Sequence, residues 1–264
     1  HFLSDKANTP YAVRLLLRVS EPRADGALAG IHWHAGPDAK VEYYASDEKR
    51  QVIPWMRVTN PKDGTVRVYR AADFKDEPPA AKIRRMDCMD CHNRPAHVFP
   101  SANASVESAM ASGALSRTLP NIKREAVKAM LQKEITTAAA APGRIGDYLR
   151  AKYGADAAPA TAEVQRLFAD TMFPERKADW REYPDNLGHK DSAGCFRCHD
   201  NKHLTAAGLK MPSSDCTSCH TILAQGKGAE LEKLNARGFE FKHPDGELDP
   251  DLSCADCHNG GIQK

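Results

Sequence analysis

Apolar and polar residues alternate over the first 80 positions in the pattern that is typical of β-strands. We predict a half-buried strand over residues 11–19, whose apolar face would carry Val13, Leu15, Leu17 and Val19. β-branched and aromatic residues predict three further strands, at 41–45, 51–59 and 65–69. The segment 60–64, Asn-Pro-Lys-Asp-Gly, has the composition of a hairpin turn between the last two strands. Residues 1–80 therefore predict a small antiparallel β region.

Between residues 101 and 180 the apolar spacing changes to a helical one. A proline in the first turn and a glycine or proline after the last turn mark the ends of helices. On these signals we predict four helices, at 102–112, 120–136, 144–153 and 161–172. The alanine-rich run 138–143, which ends in Pro-Gly, is predicted to be a linker. Residues 81–182 are thus a largely helical middle region, and no catalytic arrangement of side chains is visible in the helices.

The remaining region, residues 183–264, has few residues from which an apolar core could form. The whole chain has 264 residues and is 41% hydrophobic, and its mean hydropathy is −0.57. The segment from Cys195 to His258 contains three copies of one cysteine motif, which leaves about 21 residues for each copy, too few to enclose a core of their own. Something other than amino-acid side chains must fill the interior of this region.

That motif is Cys-x-x-Cys-His, which occurs four times and uses all eight cysteines. A zinc ribbon or a set of disulfides is the competing interpretation, but neither requires histidine after each pair. Histidine is only 11 of 264 residues, so four such histidines arise by chance with a probability of roughly three in a million. The pattern is the attachment site of c-type haem, in which two thiols bind the porphyrin and the histidine binds the iron. The four sites are Cys88, Cys91 and His92; Cys195, Cys198 and His199; Cys216, Cys219 and His220; and Cys254, Cys257 and His258.

We therefore predict four covalently bound haem c groups that act as the core of the C-terminal region. The expected fold class is α+β with low regular content. It combines a small antiparallel β region at 1–80, a segment with the first motif and the helices at 81–182, and a haem-packed three-haem cytochrome c region at 183–264.

Seven histidines lie outside the motifs and are candidates for the opposite axial position of each iron. A residue spans at most about 3.6 Å, so a histidine only four or five positions after a motif cannot travel round the same porphyrin. This reasoning pairs His189, His203 and His243 with the irons of His199, His220 and His258, respectively. The iron of His92 would then take a ligand from a distant segment, with His34 preferred over His32. These two histidines would share one face if residues 31–34 form a strand.

Histidine on both sides of each iron is the default expectation, because no methionine occupies a repeated position relative to the motifs. The histidines then exceed the number that four irons need. His97 follows a proline-stiffened stretch beside the first motif and cannot reach the iron of that motif. We hypothesise that His97, or one of His32 and His34, binds a haem of another chain or of an upstream segment, within a larger haem array.

Charge and compartment narrow the range of partners. The formal net charge is +2, and no basic run suggests nucleic-acid binding. Haem c is attached outside the cytoplasm, so we expect an exported protein on the periplasmic or extracellular face of a bacterium. The sequence shows neither a signal peptide nor a transmembrane run and begins at His1, so we expect a processed product or a fragment.

Five segments of the chain resemble a known family: 30–34 (Gly-Ile-His-Trp-His), 47–55 (Asp-Glu-Lys-Arg-Gln-Val-Ile-Pro-Trp), 86–97 around the first motif, 183–190 (Tyr-Pro-Asp-Asn-Leu-Gly-His-Lys) and 195–199. They are similar to the soluble portion of NapC/NirT-type multihaem cytochromes, and the resemblance spans nearly the whole chain. It implies an electron carrier of respiratory bacteria that passes quinol electrons to periplasmic or extracellular acceptors, with other redox proteins as partners. Family members typically carry a membrane helix and further haem motifs ahead of a segment like residues 1–5.

Three functions remain open at this stage. The first is electron transfer without a substrate at iron, which the surplus of histidines favours. The second is a multihaem reductase of a small oxyanion with one open haem, but no Cys-x-x-Cys-Lys motif is present to supply a lysine-ligated iron. The third is a subunit of an extracellular cytochrome filament.

Overall fold

The computed structural model of the chain describes residues 1–22, 28–94, 97–211, 216–247, 249 and 252–261. It mixes helix and sheet with a low regular content, which confirms the α+β class. The chain forms two compact units, and each is discontinuous in sequence. One unit consists of His1–Tyr11, Arg94–Ser192 and Cys257–Lys264, and the other of Ala12–Asn93 and Ala193–Asp256. This division differs from the three consecutive regions expected from the sequence, because residues after 193 return to pair with the N-terminal strands.

The second unit holds the β-structure. Its strands are β1 (Ala12–Leu17), β2 (Glu21–Pro22), β3 (Leu28–Ala29), β4 (Lys40–Tyr44), β5 (Trp55–Thr59), β6 (Val66–Ala71), β7 (Arg84–Arg85), β8 (His203–Leu204) and β9 (His220–Gly226). Five of them form an antiparallel sheet in the order β7-β4-β5-β6-β8. The predicted antiparallel sheet is therefore present, and a short strand from the C-terminal part of the chain extends it.

The β5–β6 hairpin is closed by the turn that its composition predicts, since the Asn60 amide donates to the Thr65 carbonyl oxygen at 2.9 Å. β5 begins later than predicted, because the amides of Gln51 and Val52 donate to the Asp47 carboxylate instead of to a neighbouring strand. One face of the sheet forms an apolar cluster of Tyr43, Ile53, Met56, Tyr69 and Met211, against which Met86 and Cys198 pack. The second cysteine motif is thus seated directly on the sheet.

β1 pairs with β9 in a separate two-stranded ribbon, in which Leu17 lies opposite His220. The side chains of Leu15, Leu16 and Leu17 are 42%, 57% and 51% exposed. The strand at this position is confirmed, but its predicted half-burial is wrong. Alternation predicts which residues share a face, whereas burial requires a second layer over that face, and β1 belongs to the ribbon instead of the five-stranded sheet.

The first unit is built on four helices that follow the predicted pattern. The helices of the chain are α1 (Cys88–Cys91), α2 (Ala102–Ser112), α3 (Ile122–Met130), α4 (Ala141–Tyr153), α5 (Ala158–Thr171) and α6 (Cys254–Cys257). The core between α2, α3, α4 and α5 includes the fully buried side chains of Val106, Ile122, Ile145, Leu149 and Val164. The linker predicted at 138–143 is wrong at its C-terminal end, because Pro142 lies in the first turn of α4. Among the helices of the described ranges, none has the length and apolar character needed to cross a bilayer.

A buried ion pair connects the N-terminal segment to this helical core. Lys123 is only 1% exposed, and its Nζ lies 3.0 Å from Glu107 Oε1. The same ammonium group donates to the Phe2 carbonyl oxygen. Asn8 fixes the segment again, because its Oδ1 accepts from the Lys123 amide at 3.1 Å and its Nδ2 donates to the Leu119 carbonyl oxygen at 2.9 Å. Residues 1–11 are thereby held against α2 and α3.

Candidate haem site

The first cysteine motif forms the short helix α1, which is capped by its own acidic residues. The Asp87 Oδ1 accepts from the Met89 amide at 2.8 Å, and the Asp90 Oδ2 accepts from the Asp87 amide at 2.9 Å. Asp90 is buried, and its second oxygen accepts from the Tyr43 hydroxyl at 2.5 Å and from Arg50 Nη1 at 2.8 Å. A residue between the two cysteines therefore anchors the motif to β4.

A residue between the cysteines of the second motif reaches back to the first. Arg197 Nη2 donates to the Asp90 carbonyl oxygen at 2.9 Å and Nη1 to the Arg50 carbonyl oxygen at 2.7 Å, while Nε donates to the Gly194 carbonyl oxygen at 2.9 Å. We call Tyr43, Arg50, Asp90 and Arg197 the motif clamp. The clamp holds the first two motifs in one fixed arrangement.

No disulfide joins any two of the eight cysteines, all of which lie within the described residues. Within the described residues, no group of three or more His, Cys, Asp or Glu side chains is arranged to hold a metal ion, so these pairs do not converge on a closed zinc site. Burial raises the pKa of the Cys91 thiol and raises that of Cys198 to about 12. Burial also raises the pKa of Cys195, together with the nearby thiols of Cys91 and Cys219.

Residues Ile31–Ala35, which we call the histidine turn, form a 3₁₀-helix, so the shared face that a strand would give His32 and His34 does not arise. The preceding Gly30 has φ 86°, and a Cβ at this position would lie 2.3 Å from the Arg18 carbonyl oxygen, so only glycine fits. The amides of Ile31 and His32 donate to the carbonyl oxygens of Arg18 and Val19. These bonds attach the turn to the chain that follows β1.

The two histidines of the turn each face a proximal histidine. The ring centroids of His32 and His92 are 6.5 Å apart, and those of His34 and His199 are 5.8 Å apart. The Nδ1 atom of His32 lies 3.1 Å from Ser20 Oγ, and that of His34 lies 2.8 Å from the Ile31 carbonyl oxygen. A hydrogen bond at Nδ1 is the usual way to orient an imidazole whose Nε2 binds a metal.

The His32–His92 distance fits an iron between the two rings, and the His34 and His199 rings would have to separate by about 0.6 Å to admit one. A metal–imidazole bond is about 2.0 Å long, and the ring centroid lies about 1.2 Å behind the binding nitrogen, so two axial imidazoles stand about 6.4 Å apart. A cavity of about 320 Å³ lined by Ala35, Arg85, Met86, Asp87 and Cys88 joins the histidine turn to the first motif. The donor set and the His32–His92 spacing suit a covalently attached haem.

His203 occupies a different position from the one we expected of an axial ligand. It is 2% exposed, its Nδ1 lies 2.7 Å from Asp200 Oδ1, and its Nε2 lies 2.7 Å from the Ile53 carbonyl oxygen. Because protein oxygens occupy both nitrogens, neither is directed at an iron. His203 instead fixes β8 to the loop that precedes β5.

The other candidate histidines have separate surroundings. His97 is exposed and lies beside Phe99. The Nδ1 of His1 is 3.0 Å from Glu107 Oε2. The Nδ1 of His243 accepts from the Asp245 amide at 3.3 Å, and His189 is half-buried. The roles predicted for His97, His189 and His243 stay predictions.

Sequence reasoning missed the clamp and the orienting hydroxyl of Ser20. A signal was present, because Asp90 and Arg197 occupy the variable positions of their motifs and have opposite charges. Opposite charges do not reveal which carbonyl oxygens a guanidinium will reach, and Arg197 bonds the Asp90 backbone instead of its carboxylate.

Two comparisons with known proteins support a multihaem c-type cytochrome. A family model described as Cytochrome c3 matches residues 188–263, which include the last three motifs. The Cytochrome c-type protein ImcH of Geobacter sulfurreducens is 35% identical over 274 residues, covering 98% of this chain and 53% of that protein. The chain therefore spans about half the length of this relative. No solved structure matches the chain.

Proposed function

We propose that this chain is a tetrahaem c-type cytochrome that carries single electrons in a bacterial respiratory chain, between quinol-derived donors and periplasmic or extracellular acceptors. When bound, haem c supplies reversible one-electron exchange at its iron. The observation that carries the proposal is that two pairs of imidazoles lie close together, His32 with His92 and His34 with His199. The NapC/NirT-type resemblance supports the respiratory role.

The chain's own residues would hold the groups in three ways. Each cysteine pair would provide the covalent bonds, each following histidine would provide one nitrogen ligand of the iron, and a second histidine would provide another. His32 and His34 take the opposite positions for the first two motifs. His203 is held by Asp200 and Ile53 and is not assigned to an iron, and His243 stays the candidate ligand for the iron of His258.

Electron transfer fits the geometry better than reduction of a small oxyanion does. A reductase needs an iron with one free axial position beside acid–base groups. At each of the first two motifs a second imidazole lies close to the motif histidine and would occupy the position that a substrate needs. We propose an exported protein whose partners are other redox proteins, among them multihaem cytochromes, and not nucleic acid. Assembly into a larger haem array or filament stays part of this proposal.

Mass spectrometry of the purified holoprotein tests the proposal. We expect the mass of the chain plus four haems, and we expect one haem fewer in the Cys254→Ala/Cys257→Ala variant. Four covalent haems in that variant would overturn the motif assignment. Stopped-flow oxidation of the reduced protein by nitrite is the control for the enzyme alternative, and turnover there would favour a reductase.

A further inference from the structure

We infer that the histidine turn is a shared ligand element: His32 binds the iron attached at the first motif, and His34 binds the iron attached at the second. The inference rests on the proposed function and goes beyond it, because it assigns two ligands to two different irons through one short turn. It also replaces the sequence-based expectation that one of these histidines, His34 preferred, serves the first iron while His189 serves the second.

The backbone conformation of the turn separates the two imidazoles. A 3₁₀-helix has three residues per turn, so side chains two positions apart are about 120° from each other around the axis. In a strand the same two side chains would share one face. Residues Ile31–Ala35 are a 3₁₀-helix, and His32 and His34 accordingly approach different proximal histidines.

The hydrogen bonds of the two rings leave the same nitrogen available in both. Ser20 Oγ contacts Nδ1 of His32, and the Ile31 carbonyl oxygen accepts from Nδ1 of His34. For His34 this bond requires the proton on Nδ1 and leaves the lone pair on Nε2.

The two sites are also connected on the side that carries His92 and His199. Arg197 of the second motif bonds the carbonyl oxygens of Asp90 in the first motif and of Arg50. On the distal side the Cα atoms of His32 and His34 are at most about 7 Å apart, because two residues cannot span more. The Arg197 guanidinium therefore holds the first two haem sites together on the side of the motifs, and the histidine turn holds them together on the opposite side.

Counting spin states in the ferric holoprotein tests this inference. An imidazole on each side keeps ferric haem low-spin, and loss of one imidazole gives a high-spin or water-bound haem. In electron paramagnetic resonance at low temperature, His32→Ala and His34→Ala should each convert one haem to high-spin, and the double variant should convert two. His1→Ala is the matched control and should leave the spectrum unchanged, since His1 contacts Glu107.

A second background assigns each histidine to its iron. In the Cys88→Ala/Cys91→Ala variant, which lacks the first haem, adding His32→Ala should produce no new high-spin haem, whereas adding His34→Ala should produce one. The reverse result would overturn the assignment, and a double variant with fewer than two converted haems would overturn the shared turn.

Two further readouts keep the result interpretable. Exogenous imidazole should restore the low-spin spectrum of each single variant, which shows that the rest of the site is folded, and failure of this rescue would count against the inference. Mass spectrometry gives the covalent haem count of every variant. Absence of haem in the unaltered protein would overturn the proposed function, whereas a full haem count with unchanged spin in both single variants would overturn only the shared turn.

Discussion

Replacement of Arg197 by alanine should loosen the arrangement of the first two motifs. The guanidinium donates to carbonyl oxygens of Asp90 and Arg50, which are more than 100 residues away in sequence, and to that of Gly194 nearby. Alanine removes all three bonds. We expect the two motifs to lose their fixed spacing while both haems stay covalently attached.

The size of the effect follows from the two long-range bonds. A hydrogen bond to a charged group contributes about 1.5–3 kcal/mol when buried. Arg197 is half-buried, so water partly replaces the lost bonds, and we expect a total loss of about 2–3 kcal/mol. For a chain of 264 residues, that loss lowers the melting temperature by about 4–6 °C. Arg197→Lys should recover less than half of the loss, because one ammonium cannot serve three carbonyl oxygens in the guanidinium's fork geometry.

Circular dichroism in the Soret region measures both consequences. Two haems held close together couple and give a two-signed band, whose amplitude depends on their mutual orientation. In Arg197→Ala we expect a smaller band at 25 °C and an earlier thermal loss of signal, with the low-spin count unchanged. A variant that melts within 1 °C of the unaltered protein and keeps the full band would refute the reasoning about the clamp.

Three further predictions concern other parts of the molecule. Lys123→Met should lower the free energy of unfolding by about 3 kcal/mol in urea titration, because it leaves Glu107 buried with less compensation; an unchanged midpoint would contradict the ion pair. Burial raises the pKa of Glu107, but the charge of Lys123 and the neighbouring ammonium groups outweigh it and hold the pKa below its ordinary value. The unaltered protein should therefore be more stable than its Glu107→Gln variant by the full margin above the ordinary glutamate pKa, and this margin should disappear as the pH falls through the lower pKa of the folded state. A margin that stays constant in melts from pH 6 to pH 3 would refute this sign. His203→Ala should cost about 2 kcal/mol, because it removes the ring's bonds to Asp200 Oδ1 and to the Ile53 carbonyl oxygen, and should leave the spin count unchanged; a new high-spin haem would restore His203 as an iron ligand.

The helices and the sheet hairpin could be predicted because local chemistry decides them. Gly154 and the segment 60–64 carry their signals in their own backbone preferences. The histidine turn could not be predicted, because a His-x-His pattern fits a strand as well as a 3₁₀-helix. Gly30 and the bonds that the Ile31 and His32 amides donate to the Arg18 and Val19 carbonyl oxygens decide between the two conformations. Arg18 and Val19 lie more than ten residues before the amides that they bind.

The distal positions show a second limit of the sequence. The length of chain between two residues limits how far apart they can be, but it does not give the direction of a side chain. His203 is far enough along the chain from His220 to reach round its porphyrin, so chain length alone kept it as a candidate ligand. In the structure its two nitrogens are satisfied by Asp200 and Ile53. The residues that orient an imidazole are the decisive ones, and Ser20 in this role leaves no pattern in the sequence.

The pairing of β1 with β9 has a consequence for the order of events during biogenesis. Leu17 lies opposite His220 and Ala71 lies opposite His203, so neither the ribbon nor the completed five-stranded sheet can form until the last quarter of the chain has been made. Contacts between residues this far apart in sequence also form slowly. Cys88 and Cys91 are therefore present in the chain before the sheet is complete. Slow long-range closure leaves time for haem attachment at the first motif before β8 and β9 find their partners.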